Sequence, residues 1–229
     1  MEACPEGCGL VVEIGPGKGA LTEYLLRRGA HVKAVELDPE LVAALALRWQ
    51  DNSRFEIVRQ NALETDWPGY GPGLLAGNLP YYVASAIISS YLLKPGQLES
   101  GVFLIQKEVA DRITAKAGTR DYGYFSVECQ YLAAVETLFR VPPGAFHPPP
   151  KVESAVVRLT PHRNRPPATS EFLKFASACF RQKRKTLRNN LFGLYPREVV
   201  ETLPESRLRA EQLPVERLFD LYQRLAPPT

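Results

Sequence analysis

The chain has 229 residues, 45% of them apolar and 23% charged; that is enough for one large domain or a domain with a small appendix, and it excludes disorder, collagen and a disulfide scaffold. The net charge of +3 is unevenly held, with 15 basic and 18 acidic residues in 1–160 against 13 and 7 in 161–229, so the C-terminal part is expected to meet a polyanion. No run approaches the roughly 20 apolar residues of a membrane span, and Met1–Pro5 has neither the basic nor the apolar region of a secretion signal, so a cytoplasmic chain without membrane attachment is expected.

From the N-terminus, short apolar runs alternate with helical patterns. Leu10–Ile14, His31–Leu37, Phe55–Val58, Leu74–Ala76 and Val102–Ile105 read as buried strands. Ala20–Arg28 reads as a helix closed by Gly29, and Pro39–Trp49 as a second, with Asp38 as N-cap and Pro39 at the first helical position. Strands alternating with helices of about ten residues imply right-handed crossovers and a parallel, doubly wound α/β sheet. Thr137–Val141 and Val152–Leu159 read as two more strands; the proline-rich Pro142–Pro150 between them cannot be a helix, so the pair is expected as an antiparallel edge. Pro161–Thr169 reads as a linker, after which the pattern is helical only: Ser170–Leu191, Arg197–Thr202, Arg207–Glu211 and Val215–Leu225. A sheet domain over 1–165 and a small all-helical domain over 166–229 follow. The cysteines, Cys4, Cys8, Cys129 and Cys179, are scattered, and no second Cys or His pair stands at ligand spacing beside Cys4 and Cys8, so reduced thiols and no metal are expected.

Three segments point to one crevice. Glu13-Ile14-Gly15-Pro16-Gly17-Lys18-Gly19 joins the first strand to the first helix, where glycines turn the chain tightly and helix N–H groups face a ligand. Its spacing is G-x-G-x-G, not the dinucleotide G-x-G-x-x-G. Glu36 ends the second strand, where a carboxylate accepts ribose hydroxyls. Together these two features indicate an adenosine-containing ligand without choosing which. The choice comes from Gly77-Asn78-Leu79-Pro80-Tyr81, at the end of the fourth strand. The Asn78 carbonyl and a backbone carbonyl held by Pro80 are acceptors, and Tyr81 is a flat face. Two acceptors on the N–H groups of an exocyclic amine aim its lone pair at an electrophile while an aromatic ring stacks on the base. That chemistry is methylation of an amino group, not hydride transfer.

On these residues the chain resembles the KsgA family of ribosomal RNA small-subunit adenine N6,N6-dimethyltransferases, through Val12–Gly17, Val35–Asp38, Gly77–Tyr81, Gln106–Val109, Phe146–Val157 and Phe180–Asn189. The resemblance implies a Rossmann-like class I methyltransferase sheet and S-adenosylmethionine as cofactor. By the same carry-over, Glu13, Gly15, Gly17 and Gly19 hold the methionine part, Glu36 and Leu37 the ribose side, and Asn61, Ala62 and Asn78 the rest of the cofactor. Asn61 stands where the family usually has Asp. Asn78, Leu79 and Pro80 present the target amine, Tyr81 stacks on the base, and Phe146 closes its opposite face. Family members carry several dozen residues before the first strand, so the N-terminal segment here is read as shortened.

Arg181, Lys183, Arg184, Lys185 and Arg188 place five cations in eight residues with no acid. Read as part of one helix, with Phe180, Leu187 and Leu191 inward, they neutralise RNA phosphates; Lys151 and Arg158 are candidates to extend the patch. The resemblance names the partner as 16S ribosomal RNA in an immature small subunit, met by a monomer. Two other functions stay open: a ribosome-assembly or RNA-binding factor with little turnover, and a large-subunit adenine methyltransferase conferring resistance.

Overall fold

A computed structural model describes residues 9–147, 149–164, 166 and 169–225; Cys4, Cys8, Pro148 and the linker residues Arg165, Pro167 and Ala168 lie outside the described residues. The chain divides into two compact units, one running through Ala110 and resuming over Ala133–Pro161, the other made of Asp111–Leu132 and the chain from His162 onward. A linear boundary at 165 therefore meets a chain that passes between units three times. The excursion Asp111–Leu132 carries no proline-rich linker at either end, which is why composition alone does not mark it.

The first unit is a seven-stranded sheet in the order β3-β2-β1-β4-β5-β7-β6. Its strands are β1 (Leu10–Ile14), β2 (His31–Glu36), β3 (Phe55–Arg59), β4 (Gly73–Asn78), β5 (Leu98–Gln106), β6 (Ala133–Val141) and β7 (Ser154–Pro161). The first five are parallel, as the helical crossovers require, while β7 runs antiparallel between β5 and β6. The expected antiparallel edge is thus present, with the later strand inserted inside the earlier one. Between β1 and β2 lies α1 (Ala20–Arg27), ended by Gly29 at φ 87. Between β2 and β3 lies α2 (Pro39–Arg48), whose N-cap Asp38 accepts hydrogen bonds from the Glu40 and Leu41 amides, a cap contributing about 1 kcal/mol. Leu25 and Leu26 of α1 pack with Val11 and Val32. Leu75, Phe103, Ile105, Val157 and Leu159 are buried on the sheet, as are Ile87, Ile88 and Tyr91 of α3 (Ala84–Leu93). Strand order reverses on either side of β1, and ligands bind at the carboxyl ends of strands at such a switch point.

After α4 (Lys107–Ile113), the second unit contains α5 (Tyr124–Leu132), α6 (Thr169–Cys179), α7 (Leu187–Leu191), α8 (Arg197–Thr202) and α9 (Val215–Leu225). Its core is aromatic: Tyr131 and Phe172 lie 4.3 Å apart between ring centroids, Phe172 and Phe219 5.2 Å, Phe175 and Tyr222 5.7 Å. Two expectations change here. Arg207–Glu211 is replaced by a 3-10 turn over Ala210–Gln212. The single helix Ser170–Leu191 is two, α6 and α7, with Arg181, Lys183, Arg184 and Lys185 in the turn between them and Arg188 on α7.

Candidate active site

The β1–α1 turn is built around two left-handed glycines, Gly15 at φ 61 and Gly17 at φ 57, and a Cβ at either would project into open space. Gly19, also left-handed, begins α1; a Cβ there would collide with the Trp49 ring, so this glycine serves packing against α2. The turn is fixed by backbone bonds from the Gly15 amide to the Val35 carbonyl (2.9 Å) and from the Gly19 amide to the Pro16 carbonyl (2.8 Å). Gly15 and Gly17 therefore expose backbone to a ligand that side chains would otherwise block.

At the end of β2, Glu36 points its carboxylate at this turn. Oε1 accepts from the Leu37 amide (2.7 Å) and the Asp38 amide (3.0 Å), and Oε2 accepts a long bond from the Gly17 amide (3.4 Å). With about four lone-pair sites on a carboxylate, Oε2 keeps the free capacity for a hydroxyl. Leu37 is exposed beside it. Beyond β3, the Asn61 side chain is engaged locally, accepting from the Leu63 amide (3.0 Å) and donating to Glu64 (3.3 Å). The Ala62 amide, at the first position of that turn, donates to no described residue. Of this pair the backbone amide of Ala62 is wholly open, while the Asn61 side chain keeps one N–H and one lone pair beyond its local bonds.

Glu13, in the middle of β1's buried stretch, is 1% exposed and accepts a 2.7 Å hydrogen bond from the Thr22 hydroxyl of α1. Burial pushes its carboxyl up to about 7, against the pull of the Thr22 hydroxyl and backbone. A cavity of about 630 Å³ is lined by Glu13, Gly15, Gly17 and Asn78, and its apolar wall includes Leu74 and Leu104. The first, second and fourth parallel strands thus deliver the sequence-predicted groups to one place.

At the end of β4 the chain turns through Asn78–Tyr81 in a fixed form. Leu79 is buried and its amide donates to the Leu104 carbonyl (3.1 Å). The Pro80 carbonyl accepts from the Val83 and Ala84 amides (3.1 and 3.0 Å), which starts α3. The backbone acceptor left over is the carbonyl of Leu79, which no described residue engages; the exposed Asn78 side-chain amide likewise has no partner among the described residues. Tyr81 is half-buried, with its hydroxyl 3.0 Å from the Ser154 hydroxyl at the start of β7. Phe146, half-buried, follows the 3-10 turn Pro143–Ala145 in the connection that leads to β7.

Thr22 and Ser154, which hold Glu13 and Tyr81, carry no pattern of their own in the sequence: Thr22 falls within the first helical pattern and Ser154 within Phe146–Val157. Among the described residues no group of three or more His, Cys, Asp or Glu side chains is placed to hold a metal ion. Cys129 and Cys179 are buried, and burial pushes the Cys179 thiol up to about 12.

In the second unit, Arg181, Lys183, Arg184 and Lys185 are exposed on the α6–α7 turn, and Arg188 is exposed on α7. A continuous helix would stack Arg181 on Lys185 and Arg184 on Arg188 at i,i+4, where like charges repel. The turn is organised instead by Asn190, 1% exposed. Its Nδ2 donates to the Cys179 and Gln182 carbonyls (2.7 and 3.2 Å), and its Oδ1 accepts from the Gln182 amide (3.2 Å). Arg188 also pairs with Glu201 at 2.9 Å, and Lys183 donates to the Arg120 carbonyl at 2.8 Å. Lys151 is exposed, and Arg158 pairs with Glu136 at 3.2 Å within the sheet unit.

The chain is similar to known proteins over most of its length. The family model for ribosomal RNA adenine dimethylases matches residues 8–227. Ribosomal RNA small subunit methyltransferase A of Pseudomonas putida is 42% identical over 94% of this chain and 84% of its own length. The protein of the same name from Synechococcus is 44% identical over 89% and 76%. Among solved structures, a dimethyladenosine transferase from Plasmodium falciparum superimposes with a TM-score of 0.80 at 23% identity, covering 95% of this chain and 90% of that one. The 23S rRNA methyltransferase ErmE gives 0.68 at 28% identity, covering 97% and 93%.

Proposed function

The chain belongs to the ribosomal RNA adenine dimethylase family and is an S-adenosylmethionine-dependent ribosomal RNA adenine dimethylase; we propose that its targets are the N6 amines of two adjacent adenines near the 3′ end of 16S ribosomal RNA, each receiving two methyls, in an immature small subunit. That reading carries with it a cytoplasmic, monomeric enzyme that uses neither metal nor membrane.

The crevice fits S-adenosylmethionine. Gly15 and Gly17 leave backbone open where a Cβ would intrude, Glu36 Oε2 has capacity for ribose, Leu37 offers an apolar face, and the free Ala62 amide suits a ring-nitrogen acceptor. When bound, the cofactor supplies a methyl group on a positively charged sulfur. Glu13, buried and lining the cavity, is the acidic group nearest in sequence to the Gly15–Gly17 turn.

The protein's own part is orientation. Asn78 Oδ1 and the Leu79 carbonyl accept the two N–H groups of the target amine, which turns its lone pair out of the ring plane. Tyr81, fixed by Ser154, stacks on the adenine, and Phe146 closes the other face. No general base is required, because the methylated ammonium loses its proton to water. Catalysis of this kind draws on positioning, which supplies on the order of 7–11 kcal/mol in well-oriented systems. The basic turn at Arg181–Lys185, with Arg188, holds phosphates and so positions the RNA without reading its sequence.

One observation carries the reading: the Asn78 side chain, which lines the cavity with Gly15 and Gly17, and the adjoining Leu79 carbonyl are acceptors with no partner among the described residues. The test is incorporation of labelled methyl groups into small subunits lacking the modification, into large-subunit RNA and into free RNA, with the nucleosides then separated. Dimethyladenosine in small subunits is the expected result. Incorporation only into large-subunit RNA, or none, would overturn it in favour of a resistance enzyme or an assembly factor.

A further inference from the structure

Beside the acceptor turn lies a residue to which the reaction so far gives no role. Tyr82 is 89% exposed, far more than any other large apolar side chain among the described residues, the next being Leu47 at 69%. Single exposed aromatics are ordinary on protein surfaces and need no function by themselves. What separates Tyr82 is its setting. It directly follows Tyr81, whose hydroxyl is tied to Ser154, and its backbone sits between Pro80 and Val83, which are joined by the Val83 amide to Pro80 carbonyl bond. The ring therefore stands on a fixed turn, four residues from the free Asn78 amide, and its hydroxyl has no partner among the described residues.

Consecutive Cα atoms are about 3.8 Å apart, so two neighbouring tyrosines can serve two neighbouring bases, one inside the site and one at its mouth. An RNA whose target base is taken into a pocket leaves the next base unstacked, and single-stranded RNA is held by stacking such bases on aromatic faces. Stacking tolerates any base, so it suits an enzyme whose second target follows the first.

We propose that Tyr82 is a substrate-contacting residue that stacks on the nucleotide flanking the target adenine, holding it at the mouth while its neighbour is methylated. This rests on the adenine-methylation reading above. The geometry asks nothing of the Tyr82 hydroxyl, so the ring alone is expected to matter.

The test uses the full chain with two substrates: small subunits lacking the modification, and an RNA hairpin whose loop carries 2-aminopurine next to the target adenine. Wild type is expected to quench the 2-aminopurine fluorescence on binding. Tyr82→Ala should lose that quenching and raise KM for small subunits about five- to a hundredfold, the range for one stacked base, while S-adenosylmethionine affinity and kcat at saturating substrate stay the same. Tyr82→Phe should behave as wild type. Unchanged KM and quenching in Tyr82→Ala would overturn the proposal, as would Tyr82→Phe losing as much as Ala. If instead wild type methylates no adenine in either RNA, it is the underlying reading that fails.

Discussion

Glu13 offers a test that needs no RNA. Its carboxyl is carried from 4.5 to about 7 by burial. Below pH 4.5 the group is protonated in both folded and unfolded chains and stability does not depend on it. Between about 4.5 and 7 the unfolded chain releases the proton and the folded chain keeps it, so stability falls as pH rises; above about 7 both are ionised and the penalty is constant, at about 3 kcal/mol. Glu13→Gln preserves shape and the acceptor for the Thr22 hydroxyl but cannot titrate. The unfolding free energy of wild type relative to this variant should therefore drop by about 2 kcal/mol between pH 5 and pH 7. Urea unfolding followed by tryptophan fluorescence is suited to this, because both tryptophans, Trp49 and Trp67, belong to the sheet unit that holds Glu13. Curves for the two proteins that stay parallel across this range would refute the argument, meaning that water or a rearranged Thr22 solvates the ionised carboxylate. If the ionised form also faces the cationic cofactor, S-adenosylmethionine affinity should rise with pH to a plateau near 7 in wild type and stay flat in Glu13→Gln.

Further outcomes follow from the same geometry. Asn78→Ala should lower the rate of methyl transfer about ten- to a hundredfold or more while leaving S-adenosylmethionine binding within about tenfold, measured by methyl incorporation and by calorimetry, since a hydrogen bond to a group that becomes charged contributes about 1.5–3 kcal/mol and this side chain is proposed to act on the target amine. Glu36→Ala should weaken S-adenosylmethionine by at least about tenfold, and unchanged affinity with an intact fold would reject the ribose assignment. Changing Lys183, Arg184 and Lys185 together to Gln should lower subunit affinity and flatten its dependence on salt by about two to three log units per log of salt, with cofactor affinity unmoved. Asn190→Ala should destabilise the helical unit by about 1–3 kcal/mol, because the Cys179 and Gln182 carbonyls and the Gln182 amide lose their partner, and it should weaken subunit binding without changing the net charge.

The sheet was largely legible because its signals are local and repeated. Leu10–Ile14 is a mainly apolar run bounded by Gly9 and Gly15, and Asp38–Pro39 announces α2 through cap chemistry that acts over three residues. What escaped the sequence depends on partners distant along the chain. The place of β7 between β5 and β6 is set by long-range pairing, Gly101 opposite Leu159 and Thr137 opposite Val157, for which no short pattern exists. The basic segment was read as helix because Phe180, Leu187 and Leu191 fall at helical spacing. Charge repulsion within the run, and a buried amide eight residues beyond Gln182, decide otherwise. At the candidate site the motifs located the groups, but not which backbone atoms were open: Pro80's carbonyl is taken by α3, so the open backbone acceptor is that of Leu79, and the open backbone donor beyond β3 is that of Ala62.

That allocation explains how one short turn can both build structure and act on a substrate. A carbonyl preceding proline has no amide on the next residue to share in local hydrogen bonding, and Pro80 fixes the φ that follows it, so the Leu79 oxygen is held by covalent stiffness rather than by a partner. The Leu79 side chain is buried and its amide is tied to β5, which anchors the same peptide from the other side. On the proposed reading, the Asn78 side chain, one residue earlier, supplies the second acceptor. An acceptor immobilised without being hydrogen-bonded does not have to break a bond to engage the amine, so little reorganisation opposes the lone-pair rotation that methylation requires. Replacing Pro80 by Ala would keep every side-chain group yet restore a backbone amide and free φ. The expected result is a lower kcat with S-adenosylmethionine affinity retained, read by single-turnover methyl transfer. An unchanged kcat would mean that the rigidity of the turn comes from α3 and β5 alone.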